Sequence, residues 1–312
     1  MKYEKQINSE LKQLARNIPY NKMIIKCANI FQVISFHFTK IHNEVIHRRI
    51  TVEGYRGLKF KAEIFEPSNV KGKLPCLIYV HGGAFSYRAS AYHKKLACMY
   101  AREAKCRVYL PDYHLTPKFP YPAAYNDVLA LYKCIMKNSE EFGVDKEKIG
   151  VAGDSAGAAI AALICNNYEH ENLQQPCMQM LIYPLTDVAM QTDSMKRFSD
   201  TPLWNSKNNK RMWSYYCKDL QAEEIYSASP MHSSLPQIIP NAYIETAEYD
   251  CLHDEGVIYG KKLKEAGAHV EINETKGTIH GYDSALTTKI AICNIEKRIC
   301  FLKKGFYGCS SI

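Results

Sequence analysis

The sequence predicts an α/β fold in which helices flank a mostly parallel central sheet and a helical cap lies over it. From residue 74 onward, short apolar runs alternate with longer stretches of helical composition, as in successive β-α-β units. A polar or glycine-rich turn directly follows each run, which places functional residues at the carboxyl ends of the strands. No repeat, low-complexity tract or linker divides the chain, so a single domain is predicted for residues 1–312.

The composition is that of a globular chain. Of its 312 residues, 46% are hydrophobic and 23% are charged, which is enough apolar material for a large core. The formal net charge is +8, but the basic residues are interleaved with acids and no nucleic-acid-reading motif accompanies them. Twelve cysteines without a C-x-x-C pair or metal-ligand spacing indicate free thiols in a reducing compartment. We therefore expect no nucleic-acid partner and no metal site.

The N-terminal region lacks the features of a secretory signal, because residues 1–20 alternate charged and apolar residues. No run approaches the ~18–20 apolar residues of a membrane-spanning helix. The most apolar early stretch, residues 23–38, is interrupted by polar side chains and predicts an amphipathic or buried helix. We expect a cytoplasmic protein with no membrane span and no apolar stretch that docks on lipid.

The strands follow from the local patterns. Two β-rich runs, residues 44–53 and 58–66, flank a four-residue link with turn composition and predict a hairpin. Six further apolar runs predict the parallel strands, at residues 74–80, 107–110, 149–152, 178–183, 242–246 and 269–272.

The alternation stops between residues 187 and 229, where aromatic residues occur among charged ones: Trp204, Trp213, Tyr215 and Tyr216. Aromatics at this spacing more often pack than contact a ligand, but an insertion beyond the strand ends is placed as a lid. We predict a cap formed by about residues 1–43 and 187–229.

Residues 149–157 carry a G-x-S-x-G motif after an apolar run and before an alanine-rich stretch with helix propensity. Gly153 and Gly157 leave room for a strained turn that exposes the hydroxyl of Ser155. A chain of this length contains the motif by chance with odds of about one in ten. The prediction that Ser155 is a nucleophile therefore depends on the predicted strand before the motif and the predicted helix after it.

An attacking serine makes the substrate carbonyl oxygen negative, and backbone N–H groups must stabilise that charge. His81, Gly82, Gly83 and Ala84 follow the first predicted parallel strand, and the glycines allow a close approach of backbone to substrate. By itself the Gly-Gly pair would indicate only an ordinary turn. With the nucleophile motif, the sequence predicts an oxyanion hole formed by the N–H groups of Gly82, Gly83 and Ala156, while His81 anchors the loop.

A serine hydroxyl needs a base, and the base needs a third group that fixes its tautomer. The chain order serine, acid, histidine points to Asp250 and His280, which follow the last two predicted strands. Glu248 and Asp254 are competing acids, although Asp254 and Glu255 are better suited to cap the helix that follows.

Several motifs in a fixed order extend this pattern over about residues 74–285: HGGAF at 81–85, DYHLTP at 112–117 with FPYPAA at 119–124, GDSAG at 153–157, YP at 183–184, DCLHDE at 250–255 and HG at 280–281. Together they resemble the hormone-sensitive-lipase-like branch of the α/β hydrolases, which includes bacterial acetyl esterases and arylacetamide deacetylases. The resemblance implies an α/β-hydrolase fold, the triad Ser155, Asp250 and His280, and a cap. We expect no cofactor.

Three positions depart from the family pattern: Ala84 replaces a glycine, Cys251 a proline and His114 an arginine. Cys251 places a thiol beside the acid, which predicts sensitivity to oxidation or alkylation. Of the remaining histidines, His114 and His253 are expected nearest to the pocket.

The sequence thus predicts a serine carboxylesterase that hydrolyses short-chain, acetyl-like esters of small molecules through an acyl-enzyme. The short, aromatic cap is the reason to expect short acyl groups. Two alternatives stay open, a small-amide deacetylase with the same triad and a non-catalytic ligand-binding member of the fold. Because all three triad residues are present, the enzyme is favoured. The oligomeric state is open, and a homodimer is one arrangement that the sequence allows.

Overall fold

The computed structural model describes residues 3, 5–70 and 72–308, and within them it contains an eight-stranded sheet. The strands are β1 Val45–Glu53, β2 Lys59–Pro67, β3 Leu74–Val80, β4 Arg107–Asp112, β5 Val144–Asp154, β6 Met178–Ile182, β7 Asn241–Tyr249 and β8 Val270–Ile279. Their order is β1-β2-β4-β3-β5-β6-β7-β8. The pairs β1/β2 and β2/β4 are antiparallel, and all others are parallel. The hairpin and the six strands predicted from the sequence are confirmed.

Helices join and cover the strands: α1 Lys22–Phe38, α2 Ala91–Glu103, α3 Ala123–Lys137, α4 Ser139–Phe142, α5 Ala156–Asn167, α6 Asp193–Arg197, α7 Ser206–Tyr216, α8 His253–Glu265 and α9 Lys289–Tyr307. Helix α5 is the most buried, with every residue from Ala156 to Asn166 covered. Its small alanine side chains let it lie close to the strands beneath it. Among the helices of the described residues, none combines the length and apolar character required to cross a membrane.

The strand order determines where the functional loops meet. β5, β6, β7 and β8 are parallel neighbours, so their carboxyl ends reach the same edge of the sheet. Ser155, Asp250 and His280 each follow one of these strands directly. A parallel sheet therefore gathers residues separated by up to 125 positions at one edge.

The N-terminal arm contacts the inserted segment that contains α6 and α7. The N–H of Leu203 donates to the carbonyl of Arg16 at 2.9 Å, and the Arg211 guanidinium donates to the carbonyl of Tyr20 at 2.7 Å. The rings of Tyr20 and Trp204 meet edge to face, with 5.5 Å between centroids. The two segments predicted to form a cap are thus in direct contact.

Helix α1 forms where the sequence predicts a helix, but its apolar side chains are placed differently from the expectation. Ile25 is buried, whereas Met23, Phe31 and Phe38 are 71%, 71% and 77% exposed. The expectation that no apolar stretch docks on lipid stays a prediction, because the periodicity of an amphipathic helix does not indicate which side faces the protein.

Candidate active site

Ser155 lies in the tight turn between β5 and α5, with a backbone φ of +54°. The two motif glycines make this turn possible. A Cβ atom on Gly157 would lie 2.1 Å from the carbonyl oxygen of Val80, and one on Gly153 would lie 2.4 Å from the carbonyl carbon of Gly157. Any larger residue would push the turn away from the sheet, so the glycines are required by close packing.

Ser155, His280 and Asp250 form one chain of hydrogen bonds. His280 Nε2 lies 2.9 Å from Ser155 Oγ, and His280 Nδ1 lies 2.6 Å from Asp250 Oδ2. The N–H of Leu252 donates to the other carboxylate oxygen of Asp250 at 3.0 Å. Asp250 is fully buried, while Ser155 and His280 are 8% and 9% exposed. The hydroxyl is thus reachable from outside and the acid is not.

The structure separates the competing acids from His280. Glu248 accepts a hydrogen bond from the N–H of Gly277 at 2.7 Å. Asp254 lies in the first turn of α8 and accepts from the N–H of Ser194 at 2.7 Å. The expectation that Asp254 caps this helix is wrong, because the N-cap position is Leu252 and the Asp254 carboxylate instead binds the start of α6.

Glu255 also differs from the expected capping role. Its carboxylate accepts hydrogen bonds from the N–H groups of Thr186 and Asp187, at 2.6 and 3.1 Å. Burial raises the pKa of Glu255 well above its usual range. Glu255 therefore holds the start of the inserted segment against α8, a role that sequence reasoning did not find.

The loop after β3 is held in an uncommon conformation. Gly83, Ala84 and Phe85 all have positive φ, at +123°, +54° and +53°. A Cβ on Gly83 would lie 2.7 Å from the carbonyl oxygen of Tyr87, so only glycine fits there. Ala84 occupies a left-handed conformation that glycine adopts at lower cost.

One of the predicted oxyanion donors lies next to a buried acid. The backbone N–H of Gly82 contributes to the low pKa of the Asp154 carboxylate. The assignment of Gly82, Gly83 and Ala156 as oxyanion donors stays a prediction. In the described part of the chain, the N–H groups of Gly83, Ala84 and Ala156 have no hydrogen-bond acceptor.

Asp154 precedes the nucleophile and is the centre of a buried polar cluster. It accepts hydrogen bonds from the hydroxyls of Tyr79 and Tyr92, at 3.0 and 3.2 Å, and from His93 Nε2 at 3.3 Å. Burial alone would raise its pKa, but His93 and the Gly82 N–H outweigh burial and lower the pKa to about 2. Asp154 thus joins the nucleophile turn to the loop after β3 and to α2.

A second buried cluster supports the catalytic histidine. The ring of Tyr183 lies 4.7 Å from the ring of His280, and its hydroxyl donates to Asp283 at 2.6 Å. Arg298 donates to Asp283 at 2.6 Å and also pairs with Glu245. Burial would lower the pKa of Arg298, but the two carboxylates raise it further, so the guanidinium is charged. This cluster fixes the segment that follows His280.

The other histidines have structural partners. His81 Nδ1 donates to the carbonyl of Gly82 at 2.7 Å, its ring stacks on Tyr113, and burial lowers its pKa to about 3. It anchors its loop as predicted. His114 pairs with Asp127 at 2.7 Å, and His253 pairs with acids on α8 and β8. Neither is hydrogen-bonded to the triad, and the expectation that they are the nearest pocket histidines stays a prediction.

Cys251, next to the catalytic acid, is fully buried. Burial, and then the neighbouring charge of Asp250, raise the pKa of this thiol well above its usual range. A protonated and covered thiol is a poor nucleophile. The expected sensitivity of the site to oxidation or alkylation at Cys251 is therefore not supported.

Aromatic side chains pack around the catalytic histidine and the loop after β3. The ring of Trp204 lies 6.1 Å from that of His280, and Phe85 stacks on Tyr216 with 3.6 Å between centroids. Trp213 is 5% exposed and contacts both Phe85 and Tyr216. Across the described residues, no three His, Cys, Asp or Glu side chains converge as metal ligands do.

The fold and these contacts agree with comparisons to known proteins. A family model described as alpha/beta hydrolase fold matches residues 77–284. The chain belongs to this family, in its hormone-sensitive-lipase-like branch. Residues 77–284 include Ser155, Asp250 and His280, together with both glycine-rich loops.

Individual relatives of this hydrolase are esterases. The carboxylesterase NlhH of Mycobacterium tuberculosis is 31% identical over 267 residues, which is 82% of each chain. An ethyl acetate hydrolase of Pseudomonas putida is 28% identical over 208 residues, 66% of this chain and 65% of its own. A solved structure of a bacterial heroin esterase superposes with a TM-score of 0.88 at 26% identity, covering 97% of this chain and 98% of its own. This α/β hydrolase is a carboxylic ester hydrolase.

Proposed function

We propose that this hydrolase cleaves short-chain acyl esters through a covalent acyl-enzyme on Ser155. The observation that carries the proposal is the unbroken hydrogen-bond chain from Ser155 through His280 to Asp250. Because Asp250 holds the Nδ1 proton of His280, the lone pair of Nε2 faces the serine hydroxyl and can take its proton.

In the first half-reaction, Ser155 Oγ attacks the ester carbonyl as His280 removes the hydroxyl proton. The tetrahedral intermediate collapses, the C–O bond to the alcohol breaks, and His280 returns the proton to the departing oxygen. In the second half-reaction, His280 removes a proton from water, and the resulting attack releases the carboxylic acid and restores Ser155. No step requires a Lewis acid or an external oxidant.

The negative oxygen formed in both steps needs donors in place. We assign this role to the backbone N–H groups of Gly83 and Ala156, as the sequence predicts, and propose Ala84 as a third donor. All three N–H groups lack an acceptor within the described chain. Removing one such donor typically costs about 10²–10³ in kcat.

The preference for short acyl groups rests on the aromatic enclosure. Trp204, Trp213 and Tyr216 are each less than a tenth exposed, Trp204 lies beside His280, and the other two pack on Phe85. We propose that about residues 1–43 and 187–229 act together as a cap, consistent with the contacts between Tyr20 and Trp204. The eleven cysteines of the described chain are free thiols, which supports a reducing, cytoplasmic setting.

Labelling with a fluorophosphonate, followed by mass spectrometry of the peptides, tests the nucleophile. We expect the adduct on the peptide that contains Ser155 and none in Ser155→Ala. The matched control, Ser68→Ala at the far end of β2, should label and turn over like the wild type. An adduct on another serine, or substantial hydrolysis by Ser155→Ala, would contradict the proposal.

A rate profile across p-nitrophenyl esters of increasing acyl length tests the substrate class. We expect kcat/KM to be highest for acetyl to butyryl esters and to fall steeply beyond them. Trp204→Ala should shift the optimum towards longer chains by opening the space beside His280. Faster hydrolysis of emulsified long-chain lipids than of butyryl esters would overturn the short-chain assignment.

A further inference from the structure

Helix α1 carries an apolar stripe on its outer surface. The stripe, which we call the docking face, consists of Met23, Cys27, Ile30, Phe31, Ile34 and Phe38. Successive members of this set are one, three or four residues apart along a 17-residue helix, so their side chains lie on one side of it. Five of the six are large hydrophobic residues that are 51–77% exposed. Contiguous exposed apolar patches of this kind are uncommon on isolated proteins and mark contact sites.

The inner side of α1 is more polar than its outer side. The amide of Asn29 donates to the carbonyl of Ser86 and accepts from the N–H of Arg88, both at 2.9 Å. Only Ile25 of this helix is fully buried. Polar hydrogen bonds to the loop after β3 thus hold α1 in place and turn its apolar stripe outward. The apolar side chains of α1 are therefore exposed because these hydrogen bonds fix the orientation of the helix, and not because its end is frayed.

Positive charge lies along one edge of the docking face. Lys22 and Lys26 are exposed and lie beside the stripe on the helix surface. Next to this edge, α1 borders a cavity of about 430 Å³ that is also lined by Arg49, Lys61 and Arg88.

Two acids partly neutralise this cavity. Glu63 pairs with Arg49, and Asp112 pairs with Arg88. Among the described residues, the ion pairs of these two acids do not include Lys61. The edge of α1 and the cavity together present more cationic than anionic groups, beside an apolar stripe.

We propose that α1 docks this protein on the surface of an anionic lipid membrane. The docking face inserts between lipid headgroups, and the cationic edge and cavity contact their phosphates. A helix that lies in the membrane interface combines an apolar side with lysines beside it, as α1 does. Each basic residue near an anionic leaflet contributes to attraction, and the chain as a whole carries a formal charge of +8.

A second copy of this chain fits the docking face less well. A stable protein interface uses about 20–30 residues on each side, whereas the docking face has six on one helix. Two copies with a charge of +8 each also repel one another.

Docking would place the membrane beside the active-site entrance. Tyr20, just before α1, bonds the Ser86 hydroxyl at 2.5 Å and the carbonyl of Ala84 at 3.3 Å. The helix that contacts lipid is therefore hydrogen-bonded to the loop proposed to stabilise the oxyanion. Esters that partition into the membrane surface would reach the triad without crossing bulk water.

Vesicle flotation of the full-length protein tests the proposal. The probes are vesicles of phosphatidylcholine alone and of phosphatidylcholine with phosphatidylglycerol. We expect binding to the anionic vesicles that weakens as salt rises. The double variant Phe31→Ser/Phe38→Ser and the double variant Lys22→Glu/Lys26→Glu should each bind at least tenfold more weakly.

Two variants on other surfaces serve as matched controls. Ile238→Ser removes an equally exposed apolar side chain before β7, and Lys264→Glu reverses an exposed charge on α8; both should bind like the wild type. All variants should hydrolyse soluble p-nitrophenyl acetate at the wild-type rate, which shows that they are folded.

Three results would overturn the proposal: no binding to anionic vesicles, equal binding to neutral vesicles, or full binding by Phe31→Ser/Phe38→Ser. A lipid-free dimer that this variant abolishes would assign the docking face to a second copy instead. Each result is independent of whether Ser155 forms an acyl-enzyme.

Discussion

Two buried carboxylate–histidine pairs flank the nucleophile turn, and they differ in what the second ring nitrogen does. His280 Nδ1 lies 2.6 Å from Asp250, and its Nε2 faces Ser155 Oγ. His93 Nε2 lies 3.3 Å from Asp154, and its Nδ1 accepts from the N–H of Ser90 at 2.9 Å. The histidine of the first pair presents a lone pair to a nucleophile. In the second pair, both nitrogens are occupied by the protein itself.

The acids differ in the same way. Asp154 accepts from several donors, including Tyr79, Tyr92 and His93, and holds three segments together. Asp250 accepts from His280 and from the N–H of Leu252. An aspartate beside a histidine is therefore not by itself a sign of catalysis. In the catalytic pair, the second ring nitrogen of the histidine faces the serine hydroxyl and can accept its proton.

The largest expected effect is that of Asp250→Asn. The amide keeps the shape of the carboxylate but favours the wrong imidazole tautomer, so kcat should fall by about 10⁴ while the circular dichroism spectrum stays unchanged. Glu248→Gln and Asp254→Asn are the matched controls and should lose less than about tenfold, since neither acid contacts His280. A greater loss at 248 or 254 than at 250 would reverse the assignment.

Asp154→Asn should affect stability more than catalysis. The pKa of Asp154 is lowered from 3.8 to about 2, which corresponds to about 2 kcal/mol of stability at neutral pH. We expect the free energy of unfolding, measured with urea at pH 7, to fall by about this amount. Asp145→Asn, at a partly exposed site, should change it by less than about 0.5 kcal/mol. If Asp154→Asn instead lowered kcat as much as Asp250→Asn, the two pairs would not differ in function.

The stability difference between wild type and Asp154→Asn should depend on pH. Because the folded pKa lies below the unfolded one, the ionised carboxylate stabilises the protein fully above about pH 4, and this contribution is lost as pH falls towards 2. Urea titrations between pH 6 and pH 3 should therefore show the difference shrinking on the acid side. A difference that stays constant over this range would mean that Asp154 does not carry the stabilising charge.

The smallest expected effect is that of alkylating the native protein. Iodoacetamide should label the exposed Cys27 and Cys293 but not Cys251, whose thiol is buried and protonated. Activity towards p-nitrophenyl acetate should be unchanged after labelling. Loss of activity in proportion to modification of Cys251 would show that the surroundings of Asp250 open in solution.

The sequence predicts most of the sheet and the three triad residues, because both depend on short-range patterns. A strand, a turn with glycine on both sides of Ser155 and an alanine-rich helix are consecutive in the chain. Asp250 and His280 are found from chain order together with the ends of β7 and β8. Close packing requires glycine at Gly153 and Gly157, so the motif that encodes the turn is visible in the sequence itself.

The remaining features depend on contacts between distant residues. Arg298 donates a hydrogen bond to Glu245, 53 positions away in the sequence, and Asn29 donates one to Ser86, 57 positions away. Neither local composition nor periodicity encodes such pairs. The same holds for Gly82, whose N–H acts on the pKa of Asp154 because the loop after β3 packs on the nucleophile turn. In retrospect, an aspartate directly before the nucleophile was the signal for that cluster.

The backbone of Ser155 has a positive φ, and this conformation lowers the stability of the folded protein. A non-glycine residue in this conformation costs about 1–3 kcal/mol, and glycine avoids most of that cost. Ser155→Gly should therefore give a protein that is inactive yet melts at a higher temperature than the enzyme. Selection for thermal resistance alone would favour the loss of the nucleophile, and only selection for turnover retains it.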